Sequence, residues 1–220
     1  MQGDVDRTLD RRTRKRLANR QLISDVATRL FMERGFDQVT VDQIADAADV
    51  GRMTVFNHFP RKEDMFFDRE GEARDMAFAA IRDRNAETSP VEALRLLAHG
   101  LVEKRSSMLP LFGETRRFVA TALASEALKA RARQMRGEFT HALAAMLADA
   151  ADRPAHDAEA HLIASLLVAT WSVAFAEGHR VMARNNDADA AGRTFLNLID
   201  HGSVAIAVAL ARTPDVDAPA

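Results

Sequence analysis

The sequence has no cysteine and no tyrosine. Without a thiol, disulfides, thiolate-ligated zinc and cysteine nucleophiles are all excluded. Glycine and proline are scarce, 10 and 6 in 220 residues, and valine and isoleucine never gather into alternating runs, so no sheet is signalled. Long apolar runs are missing too. The longest, 162–176, is interrupted by Ser165, Thr170 and Ser172 and falls short of the roughly 20 residues a helical bilayer span needs, so it reads as a buried helix segment. Residues 1–10 are polar and acidic, which is no signal peptide, and a soluble, cytoplasmic protein is expected. Neither G-x-x-x-x-G-K-[ST] nor G-x-G-x-x-G occurs, so no phosphate-cradling loop is signalled, and G-x-S-x-G is missing as well.

What is present has the balance of an ordinary globular chain, 47% hydrophobic and 28% charged. The net charge of −2 conceals an asymmetry. Residues 1–62 carry 12 Lys and Arg against 9 Asp and Glu, whereas the remainder carries 18 against 23. A basic N-terminal module on an acidic body points to a polyanion as partner of the first sixty residues. The competing reading is a solvated arm at Arg11, Arg12, Arg14, Lys15 and Arg16, and charge alone does not decide between them.

Nearly everything reads as helix. Leu22, Ile23, Val26, Ala27, Leu30 and Phe31 recur at helical steps and place a first helix over 13–34, with Gly35 as its cap. Thr40-x-x-Gln43 is a capping box opening a short helix to Ala47 or Ala48. Asp49-Val50-Gly51 is a tight turn, a second short helix spans 52–58, and Pro60 opens a long helix over 61–85. Further helices are expected over 89–106, 110–121, 125–152, 157–184 and 189–211. The expected fold is all-α with about nine helices. Its parts are a flexible basic arm (1–12), a three-helix head (13–62), a helical body for ligand binding and dimerisation (63–212) and a frayed tail (213–220).

Two short helices joined by a tight turn, with a third across them, form the helix-turn-helix pattern. Such a motif places its second helix in the major groove, so that helix must be short, exposed and polar on one face. Ile44, Ala45, Ala48, Val50 and Val55 are the expected small core. Arg52, Met53, Thr54, Asn57 and His58 remain for DNA. Arg52 suits guanine O6 and N7, and Asn57 suits adenine N6 and N7. Thr40 and Lys62 stand at helix N-termini, where phosphate is favoured, and Arg14, Lys15 and Arg16 would add salt-sensitive phosphate contacts. His58 can equally pack against the following helix, and Phe56 and Phe59 read as core more than as contacts.

The span LISDVATRLFMERGFDQVTVDQIADAADVGRMTVFNHFPRKEDMF resembles the DNA-binding domain of TetR-family transcriptional regulators. The resemblance covers 13–66 and rests on Gly35-Phe36, Thr40-Val41, Ile44-Ala45, Thr54-Val55-Phe56, His58-Phe59 and Lys62-Glu63. It implies a transcriptional regulator, a repressor that reads a palindromic operator as a homodimer and is released by a small-molecule effector. The effector would bind among the helices of the body, and the last two long helices would dimerise. Three positions depart from the pattern. Asp49 replaces the usual turn glycine, Gly51 the usual serine cap, and Phe56 a phosphate-contacting tyrosine, keeping the ring without the hydroxyl.

The body carries no family motif. Met108, Phe112, Phe139, Trp171 and Phe175 are the candidates to line a ligand pocket, Trp171 and Phe175 being the best pair because they are four apart on one face. Plain core is the competing reading for each. Arg116, His99 and His141 are candidates to orient a polar ligand group. Glu138-x-x-His141 is a single copy of the step used in di-iron bundles, which need a second copy and further carboxylates, so no metal, cofactor or catalytic residue is expected. Leu162, Leu166, Ala169, Val173, Gly202, Ala205 and Ala209 read as a dimer interface in a two-fold four-helix bundle. The expected partners are duplex DNA, a small effector of unknown identity and a second copy, with no membrane. The rival readings are a ligand-independent structural DNA-binding protein, a helical-bundle metalloenzyme and a small-molecule sensor with a degenerate head.

Overall fold

The computed structural model describes residues 10–109, 111 and 115–211, with backbone alone at 70, 115, 116, 210 and 211. Among the described residues there are ten helices and no strand. In order they are α1 (Arg11–Arg34), α2 (Val41–Ala47), α3 (Arg52–His58), α4 (Lys62–Phe66), α5 (Glu70–Arg82), α6 (Pro90–Glu103), α7 (Thr115–Ala124), α8 (Glu126–Ala150), α9 (Ala158–Asn185) and α10 (Ala188–Ala211). They fall into two compact units, Met1–Glu70 with Arg117–Arg131, and Gly71–Arg116 with Ala132–Ala220. The first unit thus runs past residue 62 and includes a later stretch that no sequence signal assigned to the head.

The first unit is built on α1. Its face Ile23, Val26, Ala27, Leu30 and Phe31 is buried, as the helical spacing dictates. Gly35 closes the helix at φ +85°, a backbone region glycine enters at no steric cost, and its N–H donates to the Phe31 carbonyl. Phe31 and Phe36 meet at 4.9 Å between ring centres, and Phe66 stacks on Phe118 at 4.2 Å. Phe66 and Phe67 are neighbours in sequence yet both join this aromatic cluster. Consecutive helical residues point about 100° apart, so the helix expected over 61–85 is interrupted there, at 67–69, into α4 and α5.

The second unit is organised by the α9–α10 pair, with α6 against α10. Ser89 caps α6 by accepting from the Glu92 N–H, and Pro90 occupies its first turn. Asp157 caps α9 through the Ala160 N–H, and Asn186 ends α9 in the left-handed region at φ 50°. Gly178 lies against Ala191 and Gly202 against Thr170, so α9 and α10 run antiparallel. A Cβ at Gly202 would stand 2.3 Å from the Thr170 methyl. Gly202 therefore serves the close crossing of α9 and α10 within one chain and is itself half-buried.

By length and composition alone α9 is apolar enough to cross a membrane, and only 28% of its most apolar window is buried. The stretch 162–176 is thus not the buried segment expected. One side of it packs on α10 and the other, at Leu162, Leu166, Ala169 and Val173, is exposed. The expected frayed tail, 213–220, and residues 1–9 of the arm lie outside the described residues. Arg11 and Arg12, expected in the arm, already belong to α1.

Candidate functional site

α2, the turn and α3 hang on a small apolar core. Ile44, Ala45, Ala48 and Val55 are buried and Val50 is half-buried, packed on the same cluster as α1. Thr40 makes a complete capping box: its hydroxyl accepts from the Gln43 N–H, and its own N–H donates to Gln43 Oε1 at 3.0 Å. The turn closes with the Val50 N–H donating to the Ala45 carbonyl, and Asp49 sits at φ 51°. Aspartate tolerates that region better than most residues, at a strain of about 1 kcal/mol, so replacing the usual glycine leaves the turn intact. Gly51 caps α3 in extended conformation without a side-chain bond.

With Val55 and Phe59 turned inward, the rest of α3 faces out. Arg52, Met53 and Asn57 are exposed, and Thr54, Phe56 and His58 are half-buried. Met53 is the most exposed large apolar side chain in this unit, 71%, which suits contact with a thymine methyl. Arg52 is engaged: its Nη1 donates to both carboxylate oxygens of Asp42 on α2, at 2.9 and 2.8 Å, and its guanidinium lies 5.5 Å from the Phe56 ring centre. Both partners are more than half exposed, so the pair contributes at most about 1 kcal/mol and yields readily to a stronger acceptor.

One expected phosphate contact, Lys62, is engaged within the unit. Lys62 donates to the carbonyls of Phe36 and Val39, at 3.0 and 2.9 Å, with its ammonium 4.1 Å from the Phe36 ring centre. It ties α4 to the connection between α1 and α2, and its charge is used inside the unit. Arg14, Lys15 and Arg16 are on the first turns of α1, within the helix expected over 13–34, with their spacing fixed by helical geometry. Arg20, which no sequence signal singled out, donates to the His58 carbonyl at 2.7 Å, stacks on Phe59 at 4.1 Å and pairs with Asp68. It anchors the C-terminal end of α3. Desolvation, followed by the nearby charges of Arg20 and Arg16, holds the His58 pKa below the usual histidine range.

In the second unit Trp171 and Phe175 come together as expected, both edge-on to Phe195 of α10, at 5.7 and 6.1 Å. Phe139 stacks on Phe78 at 5.7 Å against a second apolar cluster, on which Trp171 also packs. Met108 is half-buried in the connection after α6, and Phe112 lies outside the described residues, as does the side chain of Arg116. His99 is held by Asp200 at 2.8 Å beside Arg95, and the His141 Nδ1–H donates to the Gly137 carbonyl. Sequence reasoning missed His179. It continues the stripe Trp171, Phe175 at the same four-residue step, and its ring meets Phe175 at 5.3 Å. That spacing was legible in the sequence.

Comparison with known proteins places this arrangement. Residues 23–68 match the family model described as "Bacterial regulatory proteins, tetR family". The HTH-type transcriptional regulator TcmR of Streptomyces glaucescens is 33% identical over 83 residues, 38% of this chain. The match spans 37% of that regulator's length, about a third. Among solved structures, NalD, the secondary repressor of the MexAB-OprM multidrug efflux pump in Pseudomonas aeruginosa, aligns over 86% of this chain and 96% of its own at 21% identity and a TM-score of 0.56. SmeT, solved as a complex with triclosan, aligns over 86% and 91% at 20% identity and a TM-score of 0.55.

Proposed function

We propose, from the premise that the chain's N-terminal domain belongs to the tetR family of bacterial regulatory proteins, that the protein is an effector-responsive transcriptional repressor. It acts as a homodimer on a palindromic operator. The observation that carries this reading is the α2–α3 pair, which buries Val55 and Phe59 while presenting Arg52, Met53 and Asn57 outward from a rigid core. Two copies of α3 enter successive major grooves, with half-site centres about 34–36 Å apart or a multiple of that. Arg52 exchanges Asp42 for guanine, Asn57 reads adenine, Thr54 adds a hydroxyl, and Thr40 with Arg14, Lys15 and Arg16 meets phosphates.

The small molecule acts by population shift: it must bind more tightly to the state that binds DNA poorly. Support for this comes from the fold, shared with a repressor and with a triclosan-bound protein, and from the aromatic group at Trp171, Phe175 and Phe195. The exposed face of α9 and α10 supports the dimer. The test is selection of bound sites from a random duplex library at two salt concentrations. A two-fold palindrome with helical-turn spacing is the expected outcome. Salt-sensitive binding with no enriched motif would leave only a non-specific polyanion binder.

A further inference from the structure

The second unit buries, among its described residues, a side-chain polar atom with nothing to bond. Among the described residues, Nε2 of His179 is shut off from solvent and has no hydrogen-bond partner. Buried polar atoms in folded proteins are nearly always paired, so an orphan marks a place where something else completes the bond. The surroundings narrow what that is. His179 stands against Phe175, which with Trp171 packs edge-on to Phe195. Trp171 and Phe175 are themselves only half-buried.

The core cluster beneath them, from Ala98 and Leu109 to Phe195 and Ile199, is built of apolar side chains. Burial also pushes the imidazole below the ordinary histidine range, so near neutral pH the ring is uncharged. An uncharged imidazole has one N–H and one lone pair, and it attracts neither anion nor cation strongly. A charged ligand group would be desolvated against this apolar cluster.

We propose that His179 is the polar anchor of the effector site on the Trp171–Phe175–Phe195 face, and that the effector is an uncharged aromatic molecule bearing a hydroxyl that hydrogen-bonds Nε2. This deepens the effector-responsive reading above and rests on it for its biological meaning. The binding chemistry can be measured without DNA.

Trp171 is the only tryptophan in the chain, so its fluorescence reports on this face directly. The full-length protein is titrated at pH near 7.5 with 4-ethylphenol, ethylbenzene and 4-ethylbenzoate, which share a framework and differ in the group offered to His179. Saturable quenching by 4-ethylphenol is expected, roughly five- to tenfold tighter than by ethylbenzene, the range of one net hydrogen bond. The benzoate should be the weakest. His179→Phe should bring the phenol down to the level of ethylbenzene, and His179→Gln should restore part of the difference. Equal affinity of phenol and ethylbenzene in the wild type overturns the proposal. So does a preference that survives in His179→Phe. Should His179→Phe not fold, the wild-type comparison and His179→Gln still decide. The same titrations repeated on the DNA complex separate the two readings. Phenol selectivity at Trp171 without any loss of DNA affinity keeps the site and removes the effector role. Release of DNA by a molecule that ignores His179 keeps the regulator and removes the anchor.

Discussion

Lys62 stands at the start of α4, where an exposed ammonium would meet a phosphate, yet its Nζ is already divided between the carbonyls of Phe36 and Val39. The two roles give opposite signatures. Lys62→Met should destabilise the protein by about 1–2 kcal/mol, since two carbonyls lose a charged donor and Phe36 loses its cation. The slope of log affinity against log salt should stay as it is, whereas loss of a phosphate contact would lower it by about 0.9. Urea unfolding and a salt series of DNA binding separate the outcomes. His179 yields a second prediction, from titration. Its native pKa is depressed by burial, as is that of His58 by desolvation and by Arg20 and Arg16. The unfolded chain therefore takes up protons near the ordinary value of about 6.5 while the native state resists, and stability falls as pH drops below that point. Glu92 and Asp200 act later in acid. The Arg95 hydrogen bond lowers Glu92, and for Asp200 the bonds from His99 and Arg95 outweigh desolvation, so what they contribute is lost only near or below the ordinary carboxylate range. Between pH 7.5 and 5.5 the urea midpoint followed at Trp171 should decline, and His179→Gln should flatten the decline. A slope unchanged by that substitution would mean that His179 titrates normally.

At the scale of elements, the α9–α10 crossing depends on one missing methyl group. A Cβ at Gly202 would come within 2.3 Å of the Thr170 methyl and 2.7 Å of its hydroxyl. Gly202→Ala should therefore cost about 1–3 kcal/mol by overpacking, even though alanine is the better helix former. Thr170→Ala removes both atoms, leaving only the Thr170 Cβ position at 3.1 Å. The double variant should recover most of the loss, and a thermal-unfolding cycle that is merely additive would sink the account. The sequence marked Gly202 as a small residue at a close approach but not which helix approaches. Small residues look alike whether the partner is the same chain or another. Helix positions were legible wherever a cap or a clear apolar period spoke, as at Thr40, Ser89 and Asp157. The break at 67–69 was not, because it comes from Phe66 and Phe67 both joining one aromatic cluster, a tertiary demand that overrides local helix preference. The outward positions of Arg52, Met53 and Asn57 on α3 were readable. The pairings of Arg52 with Asp42 and of Lys62 with two carbonyls were not, since they join residues 10 to 26 positions apart.

At the scale of the whole molecule, the second unit leaves an apolar face exposed. Leu162, Leu166 and Val173 of α9 are 58%, 39% and 53% exposed, and Val204 and Val208 of α10 are 62% and 45% exposed. The contact of Gly202 with Thr170 places residue 204 close to 168, so these side chains form one continuous strip along the helix pair. Contiguous exposed apolar surface of this kind marks an interaction site. In a two-fold dimer the same strip is used twice, and the four helices close into a bundle. Leu166→Glu and Val204→Glu each bring two carboxylates into such an interface by symmetry. At about 2 kcal/mol or more for each, dimerisation should weaken roughly a thousandfold. Folding of the chain should change by no more than about 0.5 kcal/mol, because the substituted positions are exposed in the monomer. Sedimentation equilibrium should show a wild-type dimer and monomeric variants at micromolar concentration. DNA binding gives an independent reading. The variants should retain weak affinity for a single half-site, since α3 and its core are untouched, and lose the gain from a palindrome, which requires both heads on one assembly. A wild type that sediments as a monomer, or variants that keep full palindrome affinity, would place dimerisation elsewhere and leave the strip to another partner.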